Sequence, residues 1–201
     1  RGEPLADILQ ALVEEIETQL PDALCSILLL DEDNRLRHGA TQKLPNAYIE
    51  LVEGVEIGDG VGSCGTAAWR NETIIVTDIA QDLFWRDYRE VALQFNLKAC
   101  WSFPIVSSSG QVLGVFGTYY QMIRSPQANE VQTIEQIANL AGIAIEKQQS
   151  EVAIQASEAR FRQIAETVQE GFFVIDLETW HYSYINPAYA AITGFSEAAL
   201  Y

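Results

Sequence analysis

Apolar side chains recur at Leu5, Ile8, Leu9, Leu12, Val13, Ile16 and Leu20, steps of one, three or four residues, and Pro21 follows. That spacing lays one apolar stripe along a helix over residues 3–20, which the proline stops. The pattern then changes to short apolar runs. Residues 25–31 and 35–41 read as two strands around Glu32-Asp33-Asn34, and residues 44–52, opened by Pro45 and Asn46, read as a short helix. Residues 73–77 form a strand ending at Asp78, and residues 98–106 and 111–120 are strands joined by Ser107-Ser108-Ser109-Gly110, a hairpin composition. Residues 79–96 form a long, partly helical excursion over one sheet face, a kind of segment that often lines sites. The expected fold class is α/β (α+β): a central mixed or antiparallel sheet of five or six strands with flanking helices.

From Gln127 to about Val168 the one glycine is Gly142 and there is no proline, so a long C-terminal helix is predicted. Val131, Ile134, Ala138, Ala141 and Ile145 step by three, four, three and four, and Val152 and Ala159 continue the series. A heptad seam of this kind pairs helices, which makes these positions the candidate homodimer interface; Gln148 and Gln155 interrupt it with polar side chains. Past Ser157 a second pattern begins. Phe161, Ile164, Ala165 and Val168 share a helix face, residues 172–176 and 182–185 read as strands, Asn186-Pro187-Ala188-Tyr189 opens a short helix and Thr193-Gly194-Phe195 closes it. Two strands and a helix bury too little to fold alone, so this segment is expected to be an incomplete domain. The predicted organisation is a complete domain over 1–126, a connecting helix over 127–168 and a partial domain over 169–201.

Composition narrows the function classes. The chain of 201 residues is 48% hydrophobic, enough for a substantial core. No apolar run approaches the about 18 residues of a membrane span, so no membrane insertion is expected. The opening residues lack a secretory or transit pattern, and a cytoplasmic location is the default expectation. With 28 acidic against 12 basic residues the formal charge is −16, which repels phosphate backbones and argues against nucleic acid as a partner. Cys25, Cys64 and Cys100 are widely spaced, without CxxC or a neighbouring histidine, so neither a disulfide framework nor a metal site is expected.

The densest motif is Gly58-Asp59-Gly60-Val61-Gly62-Ser63-Cys64-Gly65, running into Thr66-Ala67-Ala68-Trp69-Arg70. It lacks the Lys-Ser/Thr ending of a phosphate-binding loop. The favoured reading is a tight backbone lead-in to a buried helix, with Ser63 as its cap and Ala67, Ala68 and Trp69 on its buried side.

Taken in order, Gly60 to Arg70, Val76-Thr77-Asp78-Ile79, Trp85, Leu97 to Ile105 and Gly110 to Gly117 resemble a GAF sensory domain. Ser157 to Arg162, Gly171 to Asp176, Tyr184 to Tyr189 and Thr193-Gly194-Phe195 resemble the start of a PAS domain. The resemblance covers nearly the whole chain. It implies an input module of a bacterial signalling protein, upstream of a histidine kinase or diguanylate cyclase and dimerising through flanking helices, with any catalysis of the parent protein beyond Tyr201. GAF-fold methionine sulfoxide reductases carry a cysteine in a similar glycine-rich segment, which makes a redox enzyme using Cys64 the alternative; a ligand-free structural tether is the third reading. A covalent bilin or a haem is not supported, since no cysteine is followed by histidine and His38 and His181 stand alone.

The candidate ligand site lies between the sheet and the 79–96 excursion, walled by Trp85, Tyr88, Phe95, Trp101 and Phe103 and given polarity by Asp78. Aromatic walls with a few fixed polar groups suit capture of a small molecule. The same residues would equally form a filled core, and the sequence leaves both readings open.

Overall fold

The computed structural model describes residues 3–194, which fall in two compact units, Arg1–Gln148 and Gln149–Tyr201. The first runs through α1 (Leu5–Gln19), β1 (Leu24–Leu30), β2 (Arg35–Thr41), α2 (Asn46–Val52), β3 (Val55–Glu56), α3 (Gly62–Arg70), β4 (Ile74–Val76), a single 3-10 turn (Leu83–Trp85), α4 (Arg89–Gln94), β5 (Ala99–Val106) and β6 (Val112–Tyr120) into α5 (Ala128–Thr167). The six strands lie in the order β3-β2-β1-β6-β5-β4, and every neighbouring pair is antiparallel. The hydrophobic pattern locates these elements, except β3 and the 3-10 turn, which are too short to show a period. The turn between β1 and β2 is held by Asp31, whose carboxylate accepts from the backbone N–H groups of Asp33 (3.0 Å) and Arg35 (2.8 Å), while Asn34 takes the left-handed conformation at φ 58°.

The sheet is covered on both faces. Ala99, Trp101, Phe103 and Ile105 of β5 pack with Leu9, Val13 and Ile16 of α1 and with Ile134, Ala138, Ala141 and Ile145 of α5. Cys100, on the other side of the same strand, belongs to a second core with Ala67, Ala68, Trp85, Leu97 and Tyr119. Alternation at period two sends successive β5 side chains into different cores. Near α1, the buried Glu17 carboxylate accepts from the Cys25 backbone N–H at 2.8 Å, and Lys43 lies 3.8 Å from its other oxygen.

The position of α5 corrects the reading of the heptad seam. Ile134, Ala138, Ala141 and Ile145, expected to face a second chain, are buried against their own sheet, and Val131 is partly buried beside them. A three-four stripe signals an apolar partner surface without saying whose, and here the sheet supplies it. Val152, the remaining candidate, is exposed. Contact is close: a Cβ on Gly142 would lie 2.4 Å from the Val106 carbonyl oxygen. Glu146 ties the same stretch of helix to the hairpin by accepting from the Ser108 hydroxyl (2.6 Å) and backbone N–H (3.1 Å).

The second unit contains the remainder of α5, the antiparallel pair β7 (Phe173–Ile175) and β8 (Tyr182–Ile185), and α6 (Pro187–Thr193). Asn186 organises it. Its carbonyl oxygen accepts from the backbone N–H groups of Phe172 and Tyr189, both at 2.9 Å, and its amide donates to the carbonyls of Glu170 (2.9 Å) and Ala165 (3.2 Å). Asn186 thereby caps α6, which Gly194 ends at φ 74°. Phe195, the last residue of the predicted closing pattern, lies outside the described residues.

Alanine exceeds glycine in helix propensity by about 1 kcal/mol, yet at position 142 the collision with backbone should dominate. Gly142→Ala is expected to destabilise the fold by about 1–3 kcal/mol in equilibrium urea unfolding, the usual range for overpacking. A gain in stability would show that α5 does not press on β5.

Candidate functional site

The glycine-rich segment brings α3 down onto the sheet. Gly60 and Gly62 hold φ of 87° and 57°, and the Trp85 ring lies 3.7 Å from where a Gly62 Cβ would stand, so a side chain at Gly62 would be strained and close to that ring. The helix begins at Gly62, and no side chain caps it. Ser63, expected as the cap, is instead inside the first turn and faces the sheet: its hydroxyl accepts from the Trp85 indole N–H at 2.7 Å and donates to the Cys100 carbonyl at 3.4 Å. Ala67 and Ala68 are buried as expected, whereas Trp69 is 61% exposed.

Cys64 rests over the β5–β6 pair. In that pairing Ser102 stands opposite Gly117 and Cys100 opposite Tyr119, and a Cβ on Gly117 would be only 3.0 Å from the Cys64 sulfur. The sulfur occupies the space that Gly117 leaves empty. Around it, the Ser102 hydroxyl lies at 3.2 Å and the Tyr119 hydroxyl at 3.5 Å; Ser102 is also 3.6 Å from the Cys100 sulfur. The neighbouring Cys100 thiol, with the Ser102 and Tyr119 hydroxyls, holds the Cys64 thiol down to about 7 against the opposing effect of burial. Burial pushes its neighbours Cys100, Tyr119 and Tyr48 well up. Cys64 is therefore the group in this cluster that ionises first.

A cavity of about 40 Å³ opens beside this sulfur, lined by Tyr48, Val61, Cys64, Trp85, Tyr88 and Tyr119 with aliphatic side chains between them. Such a volume holds about one water molecule or a ligand of a few atoms.

Of the predicted pocket residues, the structure brings Trp85 and Tyr88 to this cavity. Phe95 stands behind the wall, edge-on to Tyr48 with ring centroids 5.5 Å apart. Trp101 and Phe103 are in the opposite core, across the sheet from Trp85. Asp78 is a turn residue whose carboxylate accepts from the Ala80 backbone N–H (2.9 Å) and the Gln81 amide (2.8 Å). The sequence reading missed Tyr48 and Tyr119. Tyr119 had a signal, since the register that pairs it with Cys100 puts both on one face; Tyr48 had none, because α2 reaches the cavity only through the tertiary fold. Among the described residues, no group of three or more His, Cys, Asp or Glu is placed to hold a metal ion, and no helix is long and apolar enough to cross a membrane.

A family model described as GAF domain matches residues 2–146, and one described as PAS domain matches residues 159–201. The chain is 37% identical over 197 residues to a methyl sulfide methyltransferase-associated sensor of Methanosarcina acetivorans. That match takes in 98% of this chain but 20% of the relative, so the chain spans about a fifth of that protein's length. Among solved structures, a domain of a putative two-component sensor histidine kinase from Sinorhizobium meliloti superposes with a TM-score of 0.64 at 25% identity, covering 77% of this chain and 99% of the other. The GAF domain of a phosphoenolpyruvate-protein phosphotransferase from Coxiella burnetii gives 0.63 at 21% identity, covering 76% and 88%. A free methionine sulfoxide reductase (fRMsr) of Staphylococcus aureus gives 0.56 at 21% identity, covering 71% and 84%, a likeness of fold alone.

The Ser63 hydroxyl is the partner of a buried indole N–H, and losing such a partner costs about 1–3 kcal/mol. Ser63→Ala is expected to lower the urea midpoint by that equivalent and to shift Trp85 fluorescence. An unchanged midpoint would show that Trp85 finds another acceptor.

Proposed function

Since the chain belongs to the GAF domain family and continues into a PAS-domain segment, we propose that it is the ligand-responsive input module of a signalling protein, with the cavity beside Cys64 as its ligand site. The observation that carries this reading is the wall of that cavity. Its lining is largely apolar, with the Cys64 thiol, the Ser63 hydroxyl and the phenols of Tyr48, Tyr88 and Tyr119 among the polar contributors, the composition of a site that orients a small molecule by one or two hydrogen bonds. At about 40 Å³ it is far below the roughly 300 Å³ or more of ordinary ligand pockets. A larger ligand enters only by displacing the segment that carries Trp85 and Tyr88, and that displacement is the conformational signal.

The output of the parent protein is a histidine kinase or a diguanylate cyclase in this reading, supported on the kinase side by the S. meliloti neighbour. The module itself binds and relays rather than catalyses; the sensor named among its relatives supports this. It works as a homodimer through its flanking helices. With the predicted seam buried, the pairing face in the first unit is the opposite side of α5, where Leu140 and Ile143 are 50% and 65% exposed.

Two measurements test these points. Native mass spectrometry of the chain as purified is expected to show a retained small molecule that is lost in Val91→Trp, a substitution at a lining residue that fills the cavity while circular dichroism stays unchanged. Bare protein in both cases would favour the tether reading. Sedimentation at micromolar concentration is expected to give a dimer, shifted to monomer by Ile143→Glu; a monomeric parent chain would remove dimerisation from the proposal.

A further inference from the structure

The two thiols beneath the cavity are arranged unequally. Cys64 lines the cavity and is 7% exposed, whereas Cys100 is fully buried and has no place in the lining. The Ser102 hydroxyl bridges them, at 3.2 Å from the Cys64 sulfur and 3.6 Å from the Cys100 sulfur. Both are free thiols. A small molecule in the cavity thus meets one sulfur, and a second lies across the Ser102 hydroxyl from it.

From this geometry we infer that Cys64 and Cys100 form a peroxide-responsive thiol pair, in which a hydroperoxide small enough for the cavity oxidises Cys64 and Cys100 then closes a disulfide. In the first step the Cys64 thiolate attacks the nearer peroxide oxygen: an S–O bond forms, the O–O bond breaks, and the departing oxygen takes the proton released by Cys64 and leaves as water or an alcohol. In the second, the Cys100 sulfur attacks the Cys64 sulfenic acid: the S–S bond forms, the S–O bond breaks, and hydroxide leaves with the Cys100 proton as water. Two thiols are oxidised and one peroxide is reduced.

Several features favour this chemistry. The attacking sulfur must be both ionisable and reachable, and Cys64 has the depressed thiol of the cluster and its access to the cavity. The titratable groups facing it are Cys100, Tyr119 and Tyr48, each of which holds its proton to higher pH, so none competes for the negative charge. For the thiolate, the Ser102 and Tyr119 hydroxyls turn as donors. The resolving thiol needs no access of its own, because it and Cys64 share the Ser102 hydroxyl as a neighbour. Cys25 packs in the core on the other face of the sheet and takes no part. The inference does not depend on the cavity holding a resident ligand.

The test uses the reduced 201-residue chain treated with hydrogen peroxide and then blocked with maleimide. Under denaturing conditions the three maleimide-reactive thiols should fall to a single one, with a Cys64–Cys100 linked peptide found on digestion and reversal by dithiothreitol. In Cys100→Ser, oxidation should stop at a Cys64 sulfenic acid that dimedone traps. In Cys64→Ser, checked for folding by circular dichroism, both remaining thiols should survive. Survival of all thiols in the parent chain, a linked peptide containing Cys25, or equal loss of Cys100 in Cys64→Ser would each overturn the inference.

Discussion

The pairing of β5 with β6, buried on both faces, is the constraint on which the rest of the first unit depends. Each strand feeds two cores, so its register decides which side chain goes where. With Ser102 set opposite Gly117 and Cys100 opposite Tyr119, the large apolar side chains Trp101, Phe103 and Phe116 all turn toward α1 and α5. The other face receives small and hydroxyl-bearing groups, and only that leaves room for α3 to lie close enough for Cys64 to touch the sheet. A slip of one residue would put Trp101 where Cys100 is and would leave neither α3 nor the cavity a place.

The site follows from that seating. Gly117 vacates the volume that the Cys64 sulfur fills, Ser63 is turned inward to meet Trp85, and Trp85 in turn brings the excursion down as the cavity wall. Polar groups buried this far from water must satisfy one another. They do so as a chain of hydroxyls and thiols, in which the Cys64 sulfur draws its contacts from Ser102 and Tyr119 and Ser102 also reaches Cys100. The same contacts that satisfy the cluster also make one sulfur easier to ionise than its neighbours. Membership of the GAF family gives the scaffold, and the cluster is the site proposed on it.

The second unit shows the same economy on a smaller scale. Asn186 joins the end of the helix, the start of β7 and the start of α6 through hydrogen bonds to Ala165, Glu170, Phe172 and Tyr189. Phe173, Leu177, Trp180 and Ile192 are exposed in this unit. Local turn chemistry, more than apolar burial, defines its shape, which is why the Asn-Pro signature was readable as a helix start.

The sequence by itself determined the elements: three-four stripes for α1 and α5, short apolar runs for the strands, a turn at Glu32-Asp33-Asn34 and glycines at the lead-in to α3. These depend on neighbours a few residues apart, which the chain states directly. Two features turned on distant partners. Whether the stripe from Val131 to Ile145 meets another chain or its own sheet is a question of what lies beside it, and the composition of the stripe is the same in either case. Which aromatics share a cavity depends on strand parity and on helices arriving from elsewhere, so Trp101 and Trp85, both aromatic and buried, fall on opposite sides of the sheet. Only the tertiary structure could decide these, because burial is a property of the assembled surfaces and not of the segment that contributes to them.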